Sequence, residues 1–228
     1  MRQKVIFQDL GLTDYFDIWQ YQTEIHQKLK EEKKIINNPN PSHTLIFCEH
    51  HAVFTLGRSG SQENLIVSPE YLAENNIQFY KINRGGDITY HGPGQIVGYP
   101  IFDLDLFFND VHKYVRLLEE SVIQTLEHYN ITGYREPGYT GVWINRGNEK
   151  RKICAIGVHL SRWISLHGFA FNINTNLDHF NFIIPCGIKD EGKSVTSLEK
   201  ELGAKQNMDE VKHILVNKMS SIFEFDML

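Results

Sequence analysis

The chain has 228 residues, 41% of them apolar, and a net charge of -5 from 23 basic and 28 acidic side chains. That is enough for one continuous core without staples, and the acidic total excludes a general nucleic-acid binder, which needs a basic excess to neutralise phosphates. Three cysteines, Cys48, Cys154 and Cys186, form an odd set with no CxxC pair. This argues against a disulfide framework or a zinc knuckle and points to the reducing cytoplasm. The first residues lack the apolar stretch of a secretory leader, and no run approaches the roughly 20 apolar residues of a membrane span. The expectation is one soluble, cytoplasmic domain over residues 1–228, with no membrane and no nucleic-acid partner.

Taken in chain order, residues 4–9 read as a strand. Tyr15, Ile18, Trp19, Gln22, Ile25 and Leu29 then recur at helical spacing behind Thr13 as N-cap. Residues 30–41 read as a polar loop, and 44–49 and 52–56 as strands. Ser68-Pro69-Glu70 opens a short helix that Asn75-Asn76 closes before a strand over 77–82. A glycine-rich loop occupies 84–95, followed by the apolar run 96–102. Val111, Tyr114, Val115, Leu118, Val122, Thr125, Leu126 and Tyr129 trace one face of a long helix. Residues 141–145, 152–160 and 167–174 read as strands of a hairpin-rich sheet. Asn207 with Glu210 resembles a capping box before a last helix carrying Val211, Ile214, Leu215 and Ile222. Paired strands with few helices between them favour an α/β domain of the α+β type: a mixed, largely antiparallel sheet flanked by helices rather than a doubly wound parallel one.

The run Arg84-Gly85-Gly86-Asp87-Ile88-Thr89-Tyr90-His91-Gly92-Pro93-Gly94-Gln95 sets four glycines and a proline around one arginine and one histidine. Glycine lets backbone N–H groups approach a ligand closely, so the segment reads as a substrate-gripping loop; the competing reading is a plain hairpin connection. Cys186 lies in an Ile-Ile-Pro-Cys-Gly turn, where a thiol can face a cleft, whereas Cys48 and Cys154 lie in apolar strands typical of structural cysteines. Lys152 opens the strand Lys152-Ile153-Cys154-Ala155-Ile156-Gly157. Beside Cys186 it would lower the thiol pKa by charge, or accept its proton when neutral. Period 2 puts Cys154 on the face of Lys152, which keeps Cys154 as a rival nucleophile. Of eleven histidines, His91 and His167 each precede a glycine and could orient a substrate carbonyl, while His50-His51 reads as surface. No metal-ligand spacing, phosphate loop or dinucleotide fingerprint is present, so neither metal nor cofactor is expected. Gly57-Arg58-Ser59-Gly60 is a weak hint of anion binding. The basic run Arg146, Lys150, Arg151 and Lys152 is either a solvated hairpin tip or a dock for an acidic partner.

Several strings together resemble the lipoyl(octanoyl) transferase family: Thr55-Leu56-Gly57-Arg58, the run Arg84 to Gln95 with Tyr99-Pro100-Ile101, Gly141-Val142-Trp143, Lys152 to Gly157, His167 to Asn172, Pro185-Cys186-Gly187 and Val195-Thr196-Ser197-Leu198. The resemblance implies a single α/β domain related to biotin and lipoate protein ligase catalytic domains. It implies an enzyme that moves an octanoyl group from acyl carrier protein to a lysine of lipoyl domains or of glycine-cleavage H protein, as the first step of endogenous protein lipoylation. On that resemblance Cys186 carries the acyl-thioester and Lys152 lowers its pKa. The substrate-binding residues are Arg84, Gly85, Gly86, Asp87, Ile88, Thr89, Tyr90 and His91, then Ala155, Ile156 and Gly157, then Gly168, Phe169 and Ala170, with His167 in an orienting role. The alternatives are an ATP-dependent lipoate or biotin ligase, a sibling acyltransferase working between carrier domains, and a non-catalytic carrier-binding module.

Overall fold

The computed structural model describes residues 2–35, 41–184 and 192–228. In chain order these form β1 (Gln3–Thr13), α1 (Tyr15–Glu32), β2 (Thr44–His50), β3 (Val53–Leu56), α2 (Pro69–Glu74), β4 (Gln78–Lys81), β5 (Ile88–His91), β6 (Gln95–Ile101), α3 (Val111–His128) and β7 (Gly133–Tyr134). There follow β8 (Val142–Arg146), β9 (Glu149–Ser161), β10 (Ile164–Asn172), β11 (Lys193–Val195), α4 (Leu198–Leu202), α5 (Met208–Phe223) and β12 (Phe225–Met227). The strands build two sheets. The large one runs β12-β1-β2-β6-β10-β9-β8-β7, with β11 also on β9, and the small one runs β4-β3-β5.

The centre of the large sheet, β2-β6-β10-β9-β8, is antiparallel, while β1 pairs in parallel with β2 and β12, and β11 in parallel with β9. This is the mixed, largely antiparallel arrangement expected, divided between two sheets rather than one. Strand alternation sorts the side chains. Leu45, Phe47, Ile96, Phe169 and Phe171 join α3 and α5 in the main core, whereas Ile46, Cys48, Val97 and Tyr99 face α1 in a second core. A third core lies between the small sheet, α2 and the turn at 177–182.

Two boundaries differ from the sequence reading. The N-cap of α1 is Asp14 rather than Thr13, because Thr13 remains in β1 and pairs with His50. The stretch 84–95 is not loop throughout: Ile88–His91 pairs antiparallel with β3, since Ile88 and Tyr90 bury their side chains in the third core. The caps of α2 and α5 are where the sequence places them, with Ser68 Oγ accepting from Tyr71 N and Asn207 Oδ1 from Asp209 N and Glu210 N.

The long strand β9 changes partner along its length. Its first part pairs with β11 up to Lys152, and its second pairs with β10 from Cys154 onward. On its other edge the register against β8 slips, so that Val142 faces Cys154 and Trp143 faces Lys152, leaving Ile153 as the extra residue of a β-bulge. The bulge turns both Ile153 and Cys154 into the main core.

Glu119, fully buried on α3, fixes the chain opposite this bulge. It accepts from Arg116 Nη1 at 2.6 Å, Arg135 Nε at 3.1 Å and the backbone N–H of Gly141 at 3.0 Å. Gly141 adopts φ +121°, and a Cβ there would stand 2.4 Å from Cys154 O and 3.1 Å from Lys152 Cε. Glu119→Gln keeps the shape but removes the charge from three hydrogen bonds. Its expected cost is about 2–3 kcal/mol of stability, the range for hydrogen bonds to charged groups, read from the midpoint of chemical unfolding. A shift under about 0.5 kcal/mol, the range of ordinary surface substitutions, would remove Glu119 from this role.

Candidate active site

The site begins where chains cross too closely for side chains. Residues 83–87 pass over β9, with Gly85 N donating to Val158 O at 3.0 Å. A Cβ on Gly157 would lie 2.7 Å from Gly85 O, and one on Gly57 would lie 2.3 Å from Gly86 O. Glycine is therefore required on both sides of the crossing. Gly92 and Gly94 also serve the chain's own packing: a Cβ would meet Tyr90 Oη at one and Asn174 O at the other. The expectation that all four glycines of the run exist for approach to a ligand is corrected accordingly.

Under the crossing lies a cavity of about 220 Å³. Its walls include Arg84, Gly86, Asp87, Ile88 and Thr89 from the glycine run, Lys152, Ala155 and Ile156 from β9, Ala170 and Asn172 from β10, and Val195 from β11. A narrower space of about 50 Å³ is lined by some of the same residues, Arg84, Thr89, Ala155, Ile156 and Ala170, and adds Tyr15, His91, Val97, Tyr99, Gly157, His167, Gly168 and Phe169. The floor is a row of small residues set side by side on neighbouring strands, with Ala155 opposite Ala170 and Gly157 opposite Gly168. The two glycines let Gly85 O and Gly98 O close in, while the short side chains of Ala155 and Ala170 leave a slot whose flank Val97 and Tyr99 of β6 close.

Of the residues named from the sequence, most converge here. Tyr90 does not: it is buried in the third core, stacked on His179, and burial pushes its phenol up to about 12. Gly85 belongs to the crossing through its backbone. Cys186, with its flanking Pro185 and Gly187, lies outside the described residues. The rivalry of Cys154 is resolved. The bulge breaks the period-2 rule, so Lys152 and Ala155 both line the cavity while Cys154 is fully buried in the core, its thiol pushed up by burial. Lys152 Nζ lies 5.1 Å from the centre of the buried Trp143 ring, a cation–π contact from the neighbouring strand.

Arg84 borders both spaces and is only 8% exposed. Its guanidinium donates to Thr55 O at 2.6 Å, to Thr55 Oγ1 at 2.9 Å and to Gly85 O at 3.0 Å. Among the described residues no carboxylate forms an ion pair with it. A buried cation held by neutral acceptors projects its field into the cavity rather than spending it on a neighbour.

From Arg84 a chain of hydrogen bonds runs beneath the cavity. The Thr55 hydroxyl donates to His91 Nε2 at 3.3 Å, His91 Nδ1 donates to Gln95 Oε1 at 2.8 Å, and Gln95 Nε2 donates to Asn172 Oδ1 at 2.9 Å. Asn172 Nδ2 then donates to Thr196 O at 3.0 Å, and Thr196 N donates to Lys152 O at 2.9 Å. His91 is thereby engaged at both ring nitrogens by protein. Thr55, Gln95, Asn172, Thr196 and Gly141 were not singled out as site residues from the sequence. Their signal is a polar side chain, or a glycine, inside an otherwise apolar strand pattern.

The basic run on the β8–β9 hairpin is largely neutralised. Lys150 pairs with Glu136 at 2.5 Å, Arg151 with Glu149 at 2.6 Å and with Glu201 at 3.2 Å, and Arg146 with Glu201 at 3.7 Å. It therefore offers little free charge to an acidic partner. His50, read as a surface residue, is buried beside the slot and bonded to Tyr99 Oη at 2.7 Å.

Residues 14–220 match the family model of the lipoyl protein ligase A/B catalytic domain. An octanoyltransferase of Christiangramia forsetii is 51% identical over 234 residues, covering 100% of this chain and 99% of that protein. An octanoyltransferase of Flavobacterium johnsoniae is likewise 51% identical, with both chains covered completely. Among solved structures, the bipartite lipoate protein ligase of Thermoplasma acidophilum superposes with a TM-score of 0.72 at 17% identity, covering 99% of this chain and 86% of that one. Likeness at that identity speaks for the fold.

The site and the core below it are rich in neutral imidazoles. Burial draws His26, His43 and His50 down to about 4, and His91 and His167 to about 3. Because these folded-state values lie below the unfolded value near 6.5, the unfolded chain binds more protons as pH falls. Stability is therefore complete above pH 6.5 and is lost as pH drops towards 4, at about 1.4 kcal/mol per pH unit for each imidazole that must charge. Urea midpoints measured across that window should fall steeply; a flat profile down to pH 4.5 would contradict the buried, neutral assignment.

Proposed function

The chain belongs to the lipoyl protein ligase A/B catalytic-domain family as one of its octanoyltransferases, and we propose that it moves an octanoyl group from acyl carrier protein to a lysine on lipoyl domains or glycine-cleavage H protein through a thioester on Cys186. The observation that carries this reading is the slot itself. A small-residue trough leads from the Lys152 ammonium, and Phe180 and Val195, which precede and follow Cys186 in the chain, both border the cavity.

In the first half-reaction the Cys186 thiolate bonds to the acyl carbon, the donor C–S bond breaks, and the carrier sulfur leaves and takes up a proton. The Lys152 ammonium favours the thiolate by charge. Arg84, buried and in no ion pair with a carboxylate among the described residues, adds positive potential where the carbonyl oxygen becomes negative. In the second half a neutral acceptor lysine forms the C–N bond, the Cys186 thioester breaks, and the amine's proton is released as the thiolate is regenerated. Exchange between thioesters is nearly balanced, while amide formation from a thioester runs downhill, so the cycle closes without ATP. The network from Arg84 to Thr196 acts as positioning for Arg84 and for the backbone of Lys152.

Intact-mass measurement after mixing the protein with octanoyl carrier protein alone should show one octanoyl adduct. That adduct should be absent in Cys186→Ser, and transfer should fall by at least about 10³-fold, as for loss of a catalytic nucleophile. Transfer that needs ATP, or that survives in Cys186→Ser, would refute the mechanism. Lys152→Ala should move the pH profile of Cys186 alkylation upward, since the nearby positive charge that favours thiolate is gone; an unmoved profile would take Lys152 out of thiol activation.

A further inference from the structure

Facing pairs on β9 and β10 lay out the end of the slot in order: Ala155 opposite Ala170, Gly157 opposite Gly168, then His159 opposite Leu166. Strand alternation puts the three pairs on one face, each about 7 Å beyond the last. The first two pairs line the slot, whereas His159 and Leu166 line a separate cavity of about 620 Å³, together with Asn83, Phe16 and Trp19. The two spaces share no lining residue. His167 stands between them, lining the slot and only 1% exposed. Alternation from Leu166 and Gly168 would send its ring to the opposite face with Phe169 and Phe171. The residue instead holds φ +61°, a left-handed conformation uncommon where a side chain is present, and its ring meets the segment that crosses over β9. There Nε2–H donates to Asn83 Oδ1 at 2.8 Å. The backbone N–H of His167 donates to Gln22 Oε1 of α1 at 3.2 Å, which holds the unusual backbone in place.

A hydrogen bond whose donor lines the slot and whose acceptor lines the outer cavity is a partition between them. We propose that the His167–Asn83 pair is the stop that sets the upper length of the acyl chain, closing the slot against the larger cavity that continues along the same face of β9 and β10. The proposal rests on the acyl-transfer reading of the slot and deepens it. A chain that enters beside Lys152 lies along the alanine row, reaches the glycine row and ends against the imidazole. Further methylenes would have to displace a buried ring tied to protein at Nε2, or fold back against Tyr15, Val97 and Tyr99. Behind the partition there is room to spare, and Phe16, Trp19 and Leu166 give that space an apolar wall. The limit is therefore set by the stop itself rather than by lack of volume beyond it. His167 determines chain length directly, and Asn83 is a positioning residue that acts through it.

The test offers hexanoyl, octanoyl, decanoyl and dodecanoyl thioesters of carrier protein to the full-length protein, with a lipoyl domain as acceptor. The readout is kcat/KM for each chain relative to octanoyl, a ratio that cancels any general loss of activity. The unaltered protein should favour octanoyl over dodecanoyl by at least about tenfold, the low end of discrimination against a methylene that a pocket cannot hold. His167→Gly removes the ring at a left-handed position that suits glycine and keeps the backbone N–H on Gln22. It should raise the dodecanoyl-to-octanoyl ratio by at least about tenfold, with no comparable gain for hexanoyl. Asn83→Ala, at an exposed position, unties the ring without removing it and should move the ratio the same way by less. A melting curve for each variant reports folding, and Asn83→Ala carries the test should His167→Gly not fold. Equal use of dodecanoyl and octanoyl by the unaltered protein, a ratio unmoved in the folded variants, or a gain shared equally by hexanoyl would overturn the proposal. Failure of the unaltered protein to transfer any acyl chain would instead overturn the acyl-transfer reading, and the proposal with it.

Discussion

The site depends on one steric constraint: three stretches of backbone meet where no Cβ can stand. The turn at Gly57, the segment 83–87 and the strand at Gly157 are stacked so closely that the carbonyls of Gly85 and Gly86 occupy the space of the missing side chains. Everything near the cavity inherits its position from this crossing. Arg84 is held inside because the peptide that follows it is pinned at both of its polar atoms, by Gly85 N on Val158 O and by Arg58 N on the Arg84 carbonyl. The slot remains open underneath because the same strands carry alanine, Ala155 and Ala170, rather than larger residues, beside the glycines. A conventional sheet face would have filled that volume with side chains, as the opposite face does with Phe169, Phe171 and Ile153.

The second determinant is the bulge at Ile153. A regular strand would send Lys152 and Cys154 to one face, either bringing a thiol into the cavity or drawing the lysine into the core. The extra residue separates them, so the ammonium reaches the cavity while two apolar side chains stay in the core. This arrangement needs room behind Lys152, which Gly141 provides by having no Cβ beside Lys152 Cε. Gly141 is held in turn by Glu119, so a buried carboxylate far from any substrate takes part in aiming the lysine. The cost of burying that carboxylate is offset by two guanidinium groups and one backbone donor.

How much of this was legible in the sequence follows from which rule governs each part. The helices were readable because 3.6-residue periodicity and local caps decide them: Ser68 and Asn207 cap where expected, and α3 buries Tyr114, Leu118, Val122 and Leu126 as its spacing implies. The short strands β5, β11 and β12 were not, because each gains its hydrogen bonds from a partner distant in sequence rather than from a pattern of its own. The glycine run announced a special backbone but not its purpose, since glycine signals close approach without saying to what. The slot's floor was visible as Ala155, Gly157, Gly168 and Ala170 through resemblance. The hairpin reading put these two strands in one sheet but not the register that sets Ala155 against Ala170 and Gly157 against Gly168. Cys154 misled because periodicity assumes a regular strand, and one inserted residue reverses the face.

The same logic bears on the polar line from Arg84 to Thr196. Its members, Thr55, His91, Gln95 and Asn172, sit in four different strands of two sheets, and each would be a liability in an apolar core if taken singly. Together they satisfy one another end to end, which is the condition under which buried polar groups rigidify a structure instead of weakening it. The line also couples the small sheet, which carries Thr55 and His91, to the edge of the large sheet at Lys152. In the proposed acyl transfer both cations serve one reacting carbonyl, Lys152 by favouring a thiolate and Arg84 by facing the carbonyl oxygen, and that use needs them at a fixed separation around the cavity they share. A hydrogen-bonded chain of side chains spanning the two sheets supplies that spacing more rigidly than apolar contacts alone, because its donors and acceptors admit only one pairing.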